Sequence, residues 1–343
     1  MPIISQPEAV AALYQRAGER GMCLANFCTA NLYTTEAILK AAHDFGEAHG
    51  LKGIPVVVSA TANYAVEAQL ISYSVAQDAR VGMKALVDDV AVLVGPGGPY
   101  DNLQVMLHFD HGQPDIDEGM FDEAADVYAT IMYDASAWPM QQNIEMTRAF
   151  VERMRGRVLV EGAVAEIAQA EEHADMPLTT PEDAERFFRE TGVFLIVPDL
   201  GTEHRATATA ARYDGARAQA ITGRIGRRIV LHGSSSLSDA ELPRLAGDGI
   251  VKVNVWTTFE RVGGQAVARY VLREVAHMLP AAEIRALQAE GWIGPRVLEG
   301  IEAGAAPRLE SLREEGRRAV WQEAVIARMT FFLEQYGYAR WGG

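Results

Sequence analysis

Up to about residue 258 the chain alternates short apolar, β-forming runs with stretches whose apolar positions recur at helical spacing. The runs are Met22–Phe27, Ile54–Ser59, Gln104–Phe109, Tyr128–Tyr133, Arg157–Glu161, Val193–Pro198, Arg228–His232 and Ile250–Val255. Helical patterns between them include Thr35–His49, Ile116–Asp126, Met140–Met154, Pro181–Thr191 and Ser238–Ala246. Thr180-Pro-Glu-Asp places a capping Thr before a proline at the first helical position, and Ser238-Asp-Ala-Glu241 reads as a capping box. The Ala- and Arg-rich stretch Thr207–Ile225 fits either a helix or a loop. Parallel strands need crossover connections, so repeated strand–helix units imply a parallel sheet. Eight of them predict an α/β fold, a closed (β/α)8 TIM barrel, over an open doubly wound sheet. Beyond Thr258 the pattern becomes helical throughout, with Gly263–Met278 read as the closing helix and Leu309–Tyr336 as a long amphipathic one. The expected organisation is a barrel over residues 1–280 and a helical C-terminal extension, 281–343, packed on the barrel or on a neighbouring subunit.

Composition narrows the partners. The 343 residues carry a formal net charge of −15, which opposes the phosphate neutralisation that nonspecific nucleic-acid binding requires. Lysine occurs only at positions 40, 52, 84 and 252, so anion recognition falls mainly to arginine and backbone amides. Cys23 and Cys28 are too few for a disulfide framework and read as small buried thiols. The N-terminus shows no basic region followed by an apolar run, and no apolar run approaches the ~20 residues that span a bilayer. A cytoplasmic protein with neither membrane nor nucleic-acid partner is expected.

The chemistry concentrates at predicted strand ends. In the third run the apolar pattern stops at Asp110, His111 and Gly112, where a barrel opens onto its ligand-binding face. A strand ending in a polar turn would have the same composition. His204 follows the sixth run and His232 ends the seventh. A single His in such a place is commonly a hydrogen-bonded turn residue. Three on one face, beside an Asp, match a catalytic zinc site: three imidazoles and an open coordination position. His43, His49 and His277 fall on helical patterns and read as structural or surface residues.

An ordered set of motifs makes the reading specific. In sequence they are His108-Phe-Asp-His-Gly112, Tyr133-Asp-Ala-Ser136 with Asn143-Ile144, Val160-Glu161, Gly201-Thr-Glu-His204, Leu231-His-Gly-Ser-Ser235 and Lys252-Val-Asn-Val255. Their order and spacing resemble the class II, metal-dependent fructose-bisphosphate aldolases. That resemblance implies one divalent ion per chain, zinc by preference, held by His111, His204 and His232. Asp110 would carry the proton of the hydroxyl being cleaved. Glu171 or Glu172 would be the second acid–base group, on a flexible loop. Ser59, Arg205, Gly233, Ser235, Asn254 and Thr257 would contact substrate, a small sugar phosphate, in a homo-oligomer, dimer or tetramer. The chemistry is self-consistent: retro-aldol cleavage leaves a carbanion beside a carbonyl, and a divalent cation next to that oxygen stabilises the enediolate. A carboxylate then supplies the general acid–base step.

The departures from the family pattern cluster. Arg205 stands where a glycine is usual, Gly233-Ser-Ser-Ser236 replaces a glycine-richer loop, Trp256 replaces an Asp or Asn, and Ala163 stands where a second Glu is usual. The expectation is an aldehyde-lyase acting on a ketose phosphate or related acidic ketose, with fructose 1,6-bisphosphate as default. Arg205, Ser234 and Ser236 are expected to reshape its phosphate corner. The alternatives are a class II aldolase for a different sugar and a catalytically silent barrel that serves as a binding protein. A Schiff-base aldolase would need a lysine at a strand end, and Lys252 reads better as a structural residue within its strand.

Overall fold

The computed structural model describes residues 3–166, 177–203, 213–298 and 307–342. Eight parallel strands form a closed barrel: β1 Leu24–Cys28, β2 Pro55–Thr61, β3 Gln104–Gly112, β4 Thr130–Tyr133, β5 Leu159–Ala163, β6 Leu195–Val197, β7 Ile229–Leu231 and β8 Ile250–Val255. Each pairs with the next, and β8 closes on β1 through Leu24↔Lys252 to Phe27↔Val255. The strands are buried along nearly their whole length, which is why they read as continuous apolar runs. The fold is the (β/α)8 barrel expected from the alternation, with helices at the C-terminal end of the chain.

Local signals set several helices. Leu32–His49 is capped by Asn31, whose side chain accepts from the Thr34 N–H, and it stops at Gly50 in the left-handed region. Thr180 caps Pro181–Thr191 by accepting from the Asp183 N–H, and Gly192 ends that helix with φ +73°. Met140–Met154 has the bounds the pattern predicts. Ser238–Ala246 does not form the expected helix; only a short 3-10 turn, Leu242–Arg244, appears there. Pro243 lacks the N–H for a helical bond, and its ring clashes with the carbonyl four residues back. Only half of the capping box survives, the Glu241 carboxylate accepting from the Ser238 N–H at 2.8 Å. Gly215–Ile225 is helical and capped by Asp214. Leu309–Tyr336 is not one helix but two, Leu309–Leu312 and Glu314–Gln335, broken at the extended Arg313.

The chain divides into two compact units, one of Met1–Thr258 with Met329–Gly343 and the other of Phe259–Arg328. In the first, the C-terminal segment seals the outside of β1. Tyr338 Oη accepts from the Ala25 N–H at 2.9 Å, and Phe332 packs on Phe27 with ring centroids 6.4 Å apart. In the second unit Gly263 lies so close to Trp321 that an added Cβ would sit 2.5 Å from the indole ring.

Strand β3 departs most usefully from the expected pattern. It does not stop at Phe109 but runs to Gly112, pairing with β2 as far as Thr61↔Asp110. Towards β4 the register shifts between Phe109 and Gly112, and His111 takes φ +46°. This is a β-bulge, which bends a strand and re-aims its side chains. Gly112 is required there, because a Cβ would meet Phe121 at 2.5 Å and the Met132 carbonyl at 3.1 Å.

Candidate active site

In a regular strand Asp110 and His111 would point to opposite faces. The bulge turns both into one cleft, open to solvent at the C-terminal ends of the strands. Its walls include Cys28 from β1, Thr61 from β2, His232 after β7, and Asn254 and Val255 from β8. Asp110, His111 and His232 are buried, and their ligating atoms lie within 4.8 Å of one another.

His111 Nε2 faces His232 Nδ1 at 3.2 Å. Zn–N bonds of about 2.0–2.1 Å at a tetrahedral angle separate two nitrogens by roughly 3.3 Å, so this pair fits a zinc-sized ion. His111 Nδ1 lies 2.7 Å from Asp134 Oδ2, immediately after β4. Burial opposes charge on His111, but Asp110 and Asp134 outweigh it and raise its pKa. Burial likewise pushes Asp134 up, yet the His111 contact and the Ser136 hydrogen bonds hold it below the usual carboxylate range.

Asp110 is the carboxylate at the floor of the cleft. The Asn254 amide nitrogen donates to it, 3.2 and 3.1 Å from its two oxygens. Its oxygen Oδ1 lies 3.5 Å from His108 Nε2 and 3.9 Å from His232 Nε2. Burial opposes its charge, but His108, His111 and His232 together hold its pKa well below the ordinary value. Below it, Glu161 accepts from Lys252 Nζ at 2.7 and 2.8 Å, both side chains fully buried. Lys252 is thus committed to an ion pair inside the barrel.

Other expected site residues fall in different places. Gly233, Ser234, Ser235 and Thr257 line the cleft with Asn254. Gly233 has φ +66°, and a Cβ there would meet the Glu203 backbone at 2.9 Å. Ser236 does not face the cleft: its hydroxyl donates to the Gly233 carbonyl at 2.7 Å and accepts from the Glu203 N–H at 3.1 Å. Ser59 is buried beneath the cleft, donating to Cys28 Sγ at 3.1 Å, and Thr61, two residues along β2, lines the wall instead. His204, Arg205, Glu171 and Glu172 lie outside the described residues.

Reasoning from sequence missed Cys28, Thr61, Tyr64 and Asp134. Cys28 was legible only as a buried thiol, and it is buried, at the cleft wall. Tyr64 stacks on His111, with centroids 4.5 Å apart and planes within 5°; it belongs to a loop with no periodic signal. Asp134 lies in the Tyr133-Asp-Ala-Ser136 motif, but its contact with His111 depends on the end of β4 meeting the bulge.

The fold and this cleft define a (β/α)8 barrel with an Asp–His–His cluster at its strand ends. The model of the family described as fructose-bisphosphate aldolase class-II matches residues 8–317, and the chain belongs to that family. It is therefore an enzyme of the aldolase class, in a family that depends on a metal. Among solved structures it is similar to the fructose-bisphosphate aldolase (Fba) of Campylobacter jejuni, with TM-score 0.74, 16% identity and coverage of 97% of this chain and 95% of that one. It is also similar to the YdjI aldolase of Escherichia coli K12, with TM-score 0.62, 18% identity and coverage of 94% and 95%.

Proposed function

We propose that the protein is a metal-dependent aldolase that reversibly cleaves a ketose phosphate or a related acidic ketose. The default reaction is fructose 1,6-bisphosphate to dihydroxyacetone phosphate and glyceraldehyde 3-phosphate. The observation that carries this is Asp110, buried beside two imidazoles whose facing nitrogens are 3.2 Å apart. His111, His232 and, from the family motif, His204 hold one divalent ion, with zinc the first choice. When bound, that ion supplies the Lewis acidity that stabilises the enediolate left by carbon–carbon cleavage.

The chain's own residues do the rest. Asp110, oriented by Asn254, takes the proton of the hydroxyl on the carbon that becomes the aldehyde. Glu171 or Glu172 returns a proton to the enediolate carbon. Gly233, Ser235 and Thr257, with Arg205, receive the anionic end of the substrate. The enzyme is a cytoplasmic homo-oligomer, a dimer or tetramer. Among the described residues no helix is long and apolar enough to cross a membrane.

A second reading, the same chemistry on a different sugar, is favoured by the cleft wall. Tyr64, Val66 and Trp256 line it, and among its described residues there is neither Lys nor Arg. Two phosphates would call for more positive charge than that. The test is a panel of ketose phosphates and free ketoses offered to the zinc-loaded enzyme, with aldehyde release measured. Cleavage of one member that is lost in His232→Ala together with bound metal is the expected result. No cleavage of any member would leave the binding-protein reading.

A further inference from the structure

We infer that Asp134 and Tyr64 are positioning residues that fix the imidazole of His111 in its ligating orientation. This rests on the metal-site reading above. His111 sits at the β3 bulge in the left-handed region, which a non-glycine residue occupies only when its surroundings hold it there. Two contacts supply that hold. Along the ring edge, Nδ1 lies 2.7 Å from Asp134 Oδ2. A carboxylate only accepts, so Nδ1 carries the hydrogen and Nε2 keeps its lone pair directed at the cleft and His232. Across the ring face, Tyr64 stacks at 4.5 Å and 5°.

Asp134 is itself immobilised. Its other oxygen accepts from the Ser136 hydroxyl at 2.6 Å and the Ser136 N–H at 3.2 Å. Its backbone N–H donates to the Gly112 carbonyl at 2.8 Å, tying the end of β4 to the bulge. Both oxygens are thereby assigned, one to the local turn and one to the imidazole. The edge contact sets the tautomer and the in-plane angle, and the stack sets the plane. Together they define where the Nε2 lone pair points.

The experiment uses the full chain, stripped with a chelator and titrated with zinc against a chromophoric competitor. Long-range ¹H–¹⁵N spectra of the metal-free protein report the His111 tautomer, assigned with His111→Gln. Wild type should bind about one zinc per chain and show the Nδ1–H form. Asp134→Ala should lose that tautomer preference and weaken zinc binding by about 10–100-fold, the range typical for groups that orient a metal's ligands. Asp134→Asn, whose amide oxygen still accepts from Nδ1–H, should keep the tautomer and recover part of the affinity. Tyr64→Phe should bind as wild type and Tyr64→Ala more weakly.

The inference is overturned if Asp134→Ala keeps both the wild-type zinc affinity and the wild-type tautomer; should the alanine variant not fold, an unbiased His111 tautomer in the metal-free wild type overturns it equally. Failure of the metal reading looks different. Wild type would then take up no zinc, yet the metal-free spectra would still show whether Asp134 sets the tautomer.

Discussion

At the scale of single residues, Asp110 faces the strictest demand. It must stay ionised while buried, and the three histidines around it with the Asn254 amide meet that demand. Asp110→Ala should fold, retain zinc and lower turnover by about 10²–10⁴-fold, the usual contribution of a general acid–base group. Turnover near wild type would make Asp110 a structural residue. Cys28, one wall away, faces the opposite constraint. Burial pushes its thiol up, and that of Cys23 up to about 12, so neither is a thiolate at neutral pH. A chromogenic thiol reagent at pH 8 should therefore label neither cysteine in the native protein and both after denaturation. Rapid labelling of the native protein would contradict the buried, protonated state.

At the scale of elements, the cap on Pro181–Thr191 and the bulge in β3 make contrasting cases. Thr180→Ala removes the acceptor for the Asp183 N–H and should cost about 0.5–2 kcal/mol in urea unfolding, with activity per folded molecule unchanged. Gly112→Val should do more, because its side chain would be driven into Phe121 and the Met132 carbonyl. Both stability and zinc affinity should fall, since the bulge aims His111. Loss of stability without loss of zinc would separate the strand from the site. The pattern rule explains both what was legible and what was not. β8 has the bounds read from its apolar run, Ile250–Val255. β3 outran its apolar run because backbone pairing with β2 does not depend on side-chain polarity. The helix read at Ser238–Ala246 failed for a reason the sequence contained, Pro243 within the window.

At the scale of the molecule, the barrel interior holds a charge pair joining β5 to β8. Replacing only Glu161 or only Lys252 leaves an uncompensated buried charge, which typically costs about 3–5 kcal/mol. Glu161→Gln and Lys252→Met should each lower the urea midpoint strongly, and the double variant should be less destabilised than the sum of the two. Additive losses would mean that the pair has no energetic coupling.

The sequence by itself determined the barrel and the family, because both are written in local or ordered signals. Strand–helix alternation needs only neighbouring residues, and the motifs from His108 to Val255 need only their order. It also named Asp110, His111 and His232 before any of them could be seen together. Tertiary structure alone decided how those residues meet. The bulge that turns Asp110 and His111 to one side, the seat of Asp134 against His111 and the stacking of Tyr64 all depend on how separate segments approach one another in space. The exchange of Ser59 for Thr61 at the cleft wall depends on where β2 ends, two residues later than its apolar run. Such distances are set by packing between strands, and no periodicity along one strand encodes them.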